Sequence, residues 1–323
     1  MFLIFDTETT GLPKQRNAPI TNTENWPRCV QIAWQLHDDM GRCLEHQDYL
    51  IRPDGFNVPY DAEKIHGIST ELASEQGVSL IEVLELFNIA LSKAKFVVGQ
   101  NVSFDLNIMG CEFHRLNLVS NLNQLPVLDT CTEKTAMMCQ IPGGRGGKFK
   151  LPTLTELHKL LFNKPFGEAH NATADVEATT RCFLELIRRE EFSIEQLKAP
   201  IDYFQQFQSI NRNIFPSVGI KHVNLKAQSA IIADRIQQQN KSETPQYVSK
   251  DVPEVLNDVK VVHLHNHTQF SVLQSTISVK NLVAAASDQQ MPAVAITDHG
   301  NMMGAFHFVK EIGNYNRAVR QKN

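Results

Sequence analysis

The order of the predicted elements is the feature that most constrains this fold. Residues 2–5, 29–36 and 44–51 have the short apolar or alternating pattern of strands, and a turn at Gly41 joins the last two as a hairpin. From residue 79 onward, helices and strands alternate along the chain. Strands that come first, followed by alternating helices and strands, predict an α/β fold in which helices flank a mixed sheet.

The helices of this part are predicted from their starts and their apolar spacing. Residues 79–93 begin with a capping serine, and four of their apolar side chains recur at helical spacing, which predicts a helix (Ile81, Leu84, Phe87 and Leu91). FVVG at 96–99 has the pattern of a buried strand. Further helices are predicted after Ser103 and from Pro152 to about Phe162, and Asn171 is the predicted cap of a last helix that reaches about Arg189.

Composition excludes several classes of protein. With 42% hydrophobic and 20% charged residues, a chain of 323 residues is globular and long enough for about two domains. No apolar run approaches the ~20 residues that span a bilayer, so no membrane partner is expected. Six cysteines without a CxxC pair indicate reduced thiols and a cytoplasmic protein. The net charge of −4 excludes a basic nucleic-acid-coating protein, although bound cations would let an acidic domain act on nucleic acid.

Acidic residues stand at the ends of several predicted elements. Asp6 and Glu8 lie two residues apart at the end of the first strand, so both carboxylates point to one face. Asp105 follows the strand at 96–99, and Asp175 lies five residues after His170. Taken singly, each acid also fits a solvated strand end or the first turn of a helix. Together they indicate a site for two hard divalent ions, with His170 suited to accept a proton near neutral pH.

Three ordered motifs carry a family resemblance. DTETTG (6–11), VVGQNVSFD (97–105) and HNATAD (170–175) resemble the His-type DEDD 3′→5′ exonucleases, among them the proofreading exonuclease of bacterial DNA polymerase III. IHGI (65–68) is a further matching piece. The resemblance covers about residues 1–190 and implies a ribonuclease H-like fold.

The resemblance also implies a set of site residues. It implies that four acids bind two Mg²⁺ or Mn²⁺ ions (Asp6, Glu8, Asp105 and Asp175) and that His170 is the general base. Five positions match residues that touch or shape the pocket of the 3′-terminal nucleotide: Thr7, Leu12, His66, Asn101 and Phe104. A packing role is the alternative for Leu12, His66 and Phe104. Gln100 departs from the family, where many members have histidine, but it is not one of the catalytic residues and activity is expected to survive.

A second pattern begins at residue 259. VKVVHLHNH and AVAIT are predicted strands, each followed by a helix, over 278–289 and to about Ile312. HLHNHTQFS and AVAITDHGNMMGAFHF resemble the opening of a PHP domain, in particular that of the DNA polymerase III α subunit. The resemblance implies a site for metals such as Zn²⁺, with four matching ligand positions: His265, His267, Asp298 and His299. Gln274–Ser275 stands where intact sites usually have Asp-Gly, so we expect an incomplete site and no phosphoesterase activity.

These observations predict three segments and one activity. The segments are an exonuclease domain (1–190), a helical segment with a polar linker at 236–253 (191–258), and the N-terminal fragment of a PHP domain (259–323) in a longer protein. The expected activity is 3′→5′ exodeoxyribonuclease proofreading that releases nucleoside 5′-monophosphates. Expected partners are single-stranded or frayed DNA 3′ ends, a polymerase part of the same chain, and the sliding clamp, in a bacterial cytoplasm at the nucleoid. The alternatives are an RNA-trimming exoribonuclease and an inactive module that binds DNA or a partner.

Overall fold

The computed structural model describes residues 1–164, 166, 171–213, 223–243 and 262–322. The chain forms two compact units, Met1–Glu243 and Thr244–Asn323. The strands of the first unit are β1 Phe2–Thr9, β2 Cys29–His37, β3 Cys43–Leu50, β4 Phe96–Gly99 and β5 Val127–Asp129.

Helices make up most of the remaining regular structure. Those of the first unit are α1 Tyr60–His66, α2 Thr70–Gln76, α3 Leu80–Lys93, α4 Ser103–Arg115, α5 Glu133–Cys139, α6 Leu154–Phe162, α7 Ala172–Arg188, α8 Ile194–Leu197, α9 Tyr203–Ile210 and α10 Leu225–Glu243. The second unit contains α11 Val279–Asp288 and α12 Met303–Lys322. Across the described ranges, none of these helices combines the length and apolar character that a membrane span requires.

The five strands form one mixed sheet in the order β3-β2-β1-β4-β5. β1, β2 and β3 pair antiparallel, whereas β1 with β4 and β4 with β5 pair parallel. The hairpin between β2 and β3 turns at Gly41, whose φ of 87° is in the left-handed region that glycine adopts without strain. This is the ribonuclease H-like mixed sheet with flanking helices, and the predicted fold class is confirmed.

The two faces of β1 pack into different cores. Phe2 and Ile4 belong to the cluster that contains the buried side chains of α7, whereas Leu3 and Phe5 belong to the cluster that contains those of α3 and α4. Side chains alternate between the two faces of a strand. Asp6 and Glu8, at the end of β1, therefore lie on the α7 side of the sheet, and Thr7 between them lies on the α4 side.

The predicted linker at 236–253 was wrong over its first part. α10 continues to Glu243. Its residues Ile232 and Ile236 pack against the cluster that contains Ile68 and Leu72, so tertiary burial stabilises a helix in a locally polar sequence. Residues 244–253 lie outside the described residues.

The predicted helix is present as α3, and three of its four periodic apolar side chains are buried. Leu84, Phe87 and Leu91 are buried, whereas Ile81 is 49% exposed. Val83 takes part in the buried face instead, because the helix turns this residue and not Ile81 towards the sheet.

The two strands predicted in the second unit were also wrong in its described part. The backbone pairing there is one parallel bridge between His263 and Val294. An isolated pair of strands has too few neighbours to be stable, which explains why apolar sequence alone did not produce a ladder. The two predicted helices are present as α11 and α12. Residues 259–261 lie outside the described residues.

Candidate active site

Three of the predicted acids come together where β1 meets the start of α7. Carboxylate oxygens of Asp6, Glu8 and Asp175 all lie within 4.8 Å of one another. Asp6 and Glu8 occupy the end of β1 on its α7 side, and Asp175 lies in the first turn of α7. The sequence therefore brings together residues separated by most of the first unit, because α7 packs across the sheet face that both β1 acids share.

Burial and mutual repulsion make these acids hard to ionise together. Burial raises the pKa of Glu8 to about 8, with further increases from the charges of Asp175 and Asp105. Burial also raises the pKa of Asp6 well above its usual range, and the neighbouring carboxylates add to this effect. A cluster of oxygen donors that resists ionisation is well suited to a hard divalent cation, whose charge offsets the repulsion.

Asp105 is held on the other face of β1 by Thr7. The backbone N–H and the side-chain hydroxyl of Thr7 both donate to Oδ1 of Asp105, at 3.0 and 2.6 Å. Burial raises the pKa of Asp105 to about 7, although the hydrogen bonds from Thr7 act in the opposite direction. Asp105 lies in the first turn of α4 and is 5% exposed, and its charge contributes to the raised pKa of Asp6.

Asp129 is a further acid next to the site that the sequence reasoning missed. It ends β5, and its carboxylate accepts backbone N–H groups from Asn101 at 2.8 Å, Val102 at 3.1 Å and Cys131 at 2.7 Å. These bonds hold the turn between β4 and α4, in which Asn101 has a φ of 58°. An acid that ends an apolar run, as in VLD at 127–129, is the signal that would have identified it.

Asn171 fixes the start of α7. Its side-chain oxygen accepts the backbone N–H of Thr173 at 3.1 Å, and its Nδ2 donates to the carbonyl of Val223 at 3.1 Å. The side chain is therefore both the predicted N-cap and a link to the residues that precede α10. His170, the predicted general base, lies outside the described residues.

The five residues predicted to touch the terminal nucleotide or to shape its pocket have different environments. Leu12 is 82% exposed, Asn101 is exposed, and Phe104 is half-buried against the α3–α4 cluster. His66 is buried at the end of α1, and its Nδ1 accepts the backbone N–H of Ile68 at 3.1 Å. Thr7 is buried and directed at Asp105, as described above.

The predicted ligands in the second unit do not reach ligand spacing. Within the described ranges, no group of three or more acids, histidines or cysteines other than Asp6, Glu8 and Asp175 brings its donor atoms that close. The carboxylate of Asp298 instead accepts the N–H and hydroxyl of Thr268, at 2.6 and 2.8 Å, and the hydroxyl of Ser271 at 2.9 Å. The rings of His265 and His267 are 4.8 Å apart, and the N–H of His299 donates to Ser271.

The sheet topology defines the class of this molecule as a ribonuclease H-like α/β protein. Residues 3–183 match the model of the exonuclease family. Because this match covers more than half of the chain, the chain belongs to the exonuclease family and is a nuclease. Residues 263–320 match the model of the PHP domain.

Curated relatives match a short part of the chain, at the PHP-like end. The DNA polymerase III α subunit of Mycobacterium leprae is 43% identical over 65 residues, which are 20% of this chain and 5% of that subunit. The α subunit of Chlamydia trachomatis is 51% identical over 49 residues, which are 15% of this chain and 4% of that subunit. The matched part is thus about a twentieth of the length of these relatives.

Solved structures of exonuclease I also resemble the chain. The zinc-bound complex of E. coli exonuclease I with single-stranded DNA has a TM-score of 0.47 at 21% identity, covering 61% of this chain and 42% of that one. An apo form of exonuclease I has a TM-score of 0.45 at 21% identity, covering 61% of this chain and 43% of that one.

Proposed function

We propose that the chain is a metal-dependent 3′→5′ exodeoxyribonuclease that releases nucleoside 5′-monophosphates, and that it is the proofreading part of a bacterial DNA polymerase III α-type chain. The convergence of Asp6, Glu8 and Asp175 is the observation that carries the proposal. A nuclease of the exonuclease family needs such a cluster at its reacting centre, and this one lies at the carboxyl end of β1, next to the starts of α4 and α7.

The donor set fits Mg²⁺ or Mn²⁺. All the ligand atoms are carboxylate oxygens, the type that these hard ions favour, and sulfur or imidazole donors do not take part in the described cluster. Asp6, Glu8 and Asp175 would hold the ions, and Asp105 would complete the set from the opposite face. When bound, two such ions supply an activated water and stabilise the leaving oxygen of a phosphodiester.

The residues of the chain would handle the proton and the substrate strand. His170 would take a proton from the attacking water, since its ordinary pKa of about 6.5 suits a base near neutrality. The new P–O bond forms to the water oxygen as the P–O3′ bond breaks. The released nucleotide keeps the phosphate on its 5′ carbon, and the shortened strand regains a 3′ hydroxyl. Leu12, His66, Asn101 and Phe104 would shape the pocket of the terminal nucleotide.

The PHP-like end supports a polymerase context. Its relatives are α subunits of DNA polymerase III, so a nuclease placed before such a segment would lie on the same polypeptide as a polymerase. In this arrangement a frayed 3′ end is the natural substrate, because unpairing a mismatched end costs less than unpairing a matched one. This context favours DNA over RNA. Binding to the sliding clamp and a place at the nucleoid stay predictions from the sequence.

Digestion of 5′-labelled strands tests the proposal. Matched DNA, DNA with a 3′ mismatch, and RNA are incubated with the chain and Mg²⁺ or Mn²⁺, and the products are resolved by length and by mass. We expect a ladder that shortens from the 3′ end, free 5′-monophosphates, faster loss of the mismatched end, and no reaction in EDTA. Asp6→Ala and Asp175→Ala should abolish the reaction, with circular dichroism as the control for folding.

Three results would contradict the proposal. Mononucleotides that carry a 3′ phosphate would exclude the reaction, and faster digestion of RNA than of DNA would favour the exoribonuclease alternative. Binding of DNA without cleavage by either metal form would favour the inactive module. A variant His170→Ala is expected to lose about 10²–10⁴-fold in rate if this residue is the base.

A further inference from the structure

We propose that Asp48 on β3 is a positioning residue of the nuclease: through Gln31 and Thr173 it holds the first turn of α7, and with it Asp175, against the sheet. This inference rests on the proposed function, because it assigns Asp48 to the geometry of the same site. Neither Asp48 nor Gln31 belongs to the motifs that the sequence singled out.

The strand register puts Asp48 on the sheet face that carries the acidic cluster. Asp6 pairs with Ala33 across β1 and β2, and Ala33 pairs with Asp48 across β2 and β3. Directly opposite residues of antiparallel strands point to the same face, so all three side chains lie in one row. Ala33, in the middle of the row, is fully buried, and its small side chain leaves room for α7 to cross.

Asp48 is hydrogen-bonded through both of its carboxylate oxygens. Oδ2 accepts the side-chain hydroxyl of Thr173 at 2.5 Å, and Oδ1 accepts Nε2 of Gln31 at 2.9 Å. Thr173 is the second residue of α7. The carboxylate on β3 is therefore bonded directly to the helix that carries Asp175.

Asp48 also fixes the orientation of the Gln31 amide. A carboxylate only accepts hydrogen bonds, so Gln31 must present its NH₂ group to Asp48 and its oxygen on the other side. That oxygen accepts the backbone N–H of Ala172 at 3.2 Å. Gln31 is 1% exposed, so water does not compete for these groups. Without Asp48, the amide would be free to turn and would present NH₂ to a backbone N–H.

The first turn of α7 depends on such partners. The leading N–H groups of a helix have no acceptor within the helix, and here Gln31 and Asn171 supply acceptors for Ala172 and Thr173. Asp175 follows two residues later in the same turn, and its own N–H donates to the carbonyl of Asn171 at 2.9 Å. A shift of this turn moves the Asp175 carboxylate relative to Asp6 and Glu8, and displacements of about 1 Å are enough to cost 10²-fold in rate.

Paired substitutions at Asp48 test the inference on the full chain. Asp48→Ala removes both acceptors and should weaken Mn²⁺ binding, measured by calorimetry without DNA, by about tenfold or more, as for other groups that orient a metal ligand. It should also lower kcat by a similar factor with little change in KM. Amide hydrogen exchange at Ala172 and Thr173 should become faster. Asp48→Asn should restore most of the wild-type behaviour, because its oxygen still accepts from Gln31 and its NH₂ can donate to the Thr173 hydroxyl.

The control variant is Gln47→Ala, the neighbouring position on the opposite face of β3, which should leave all three measurements unchanged. Wild-type Mn²⁺ affinity and unchanged amide exchange in Asp48→Ala would overturn the inference. If Asp48→Ala does not fold, the variants Thr173→Val and Thr173→Ser are compared instead, since only serine keeps the hydroxyl that donates to Asp48. Equal Mn²⁺ affinities of the valine and serine variants would overturn the inference. Mn²⁺ affinity and amide exchange do not depend on cleavage. These two measurements therefore test the role of Asp48 even if the proposed nuclease activity is not found.

Discussion

Thr7 donates two hydrogen bonds to one oxygen of Asp105, from its backbone N–H at 3.0 Å and from its hydroxyl at 2.6 Å. These residues are 98 positions apart, on β1 and α4. Thr7 stands between Asp6 and Glu8 but points to the opposite face. The strand therefore presents two acids to α7 and, between them, a donor that fixes a third acid on α4.

The substitution Thr7→Val should destabilise the protein most where Asp105 is ionised. The pKa of Asp105 is raised to about 7, so the charge is present at pH 8.5 and mostly absent at pH 5.5. Loss of a buried hydrogen bond to a charged acceptor costs about 2 kcal/mol, and the loss is smaller for a neutral acceptor. Urea unfolding at both pH values measures the difference. Thr7→Ser keeps the hydroxyl and is the control; equal losses in the two variants would contradict the role of the hydroxyl.

Without divalent cations, the stability of the protein should fall as the pH rises from about 4.5 to about 8. Burial and repulsion raise the pKa of Glu8 to about 8 and that of Asp105 to about 7, so the folded state binds more protons than the unfolded state over this range. Stability contributed by the protonated acids is therefore present at low pH and lost as each group ionises. Thermal unfolding in EDTA at pH 5 and pH 8.5 measures this loss, and added Mg²⁺ should raise the Tm more at pH 8.5.

The variant Asp6→Asn separates the site from other groups that titrate. It removes one repelling charge, so the EDTA-treated variant should have a higher Tm than the wild type at pH 8.5 and a smaller gain from Mg²⁺. Buried histidines such as His37, whose pKa is lowered by burial, contribute equally to both proteins and cancel in the comparison. An identical pH dependence in wild type and variant would show that the cluster does not carry the effect.

Local sequence patterns predicted the features that depend only on residues close together in the chain. The shared face of Asp6 and Glu8 follows from the two-residue period of a strand, and the start of α7 follows from the capping side chain of Asn171. The sheet and its flanking helices follow from the order of the elements. These predictions need no knowledge of which distant residues come into contact.

The features that the sequence did not predict depend on contacts between residues that are distant in the chain. The carboxylate of Asp129 accepts the N–H of Val102, 27 residues away in the chain, and that of Asp48 accepts the hydroxyl of Thr173, 125 residues away. The sequence marks Asp129 as the end of an apolar run but does not give its partners, and no local pattern distinguishes Asp48 from a solvated acid. Likewise, α10 extends through a polar stretch because Ile236 packs on a distant cluster. In the described part of the second unit, the two apolar runs pair through a single bridge, so alternation alone overestimated the sheet.

Glu112→Gln should be among the most destabilising single substitutions in the first unit. Glu112 is fully buried, and its Oε1 accepts hydrogen bonds from Nε of Arg28 at 3.1 Å and from the N–H of Cys29 at 2.9 Å. The same oxygen forms an ion pair with Nη1 of Arg115 at 3.0 Å. Removing the buried partner of an ion pair costs about 3 kcal/mol, because Arg28 and Arg115, whose side chains are only 26% and 13% exposed, lose the charge that compensates them. Urea unfolding measures the cost.

The matched control for Glu112 is Glu133→Gln, which breaks an exposed ion pair with Lys148. Such pairs contribute little, so this variant should unfold at the same urea concentration as the wild type. Arg115 also donates to the carbonyls of Thr23 and Trp26, at 2.7 Å each. The loss in Glu112→Gln should therefore include faster amide exchange in the segment that follows β1, and unchanged exchange there would contradict a role of Glu112 in holding that segment.

Gly67 is the point at which α10 contacts the turn after His66, and Gly67→Ala should cost more stability than backbone strain alone explains. Gly67 has a φ of 82°, and an added Cβ would lie 2.8 Å from the backbone nitrogen of Lys226. Gly55 is the control, because its φ of 71° is similar but nothing lies within 4 Å of an added Cβ. Left-handed strain costs about 1 kcal/mol in either variant, and overpacking adds about 2 kcal/mol at Gly67 only.

Ser229 of α10 donates to the Gly67 carbonyl at 2.7 Å, so displacement of the helix in Gly67→Ala should also speed up amide exchange along α10. Equal free energies of unfolding for Gly67→Ala and Gly55→Ala would mean that α10 does not pack closely on this turn in solution.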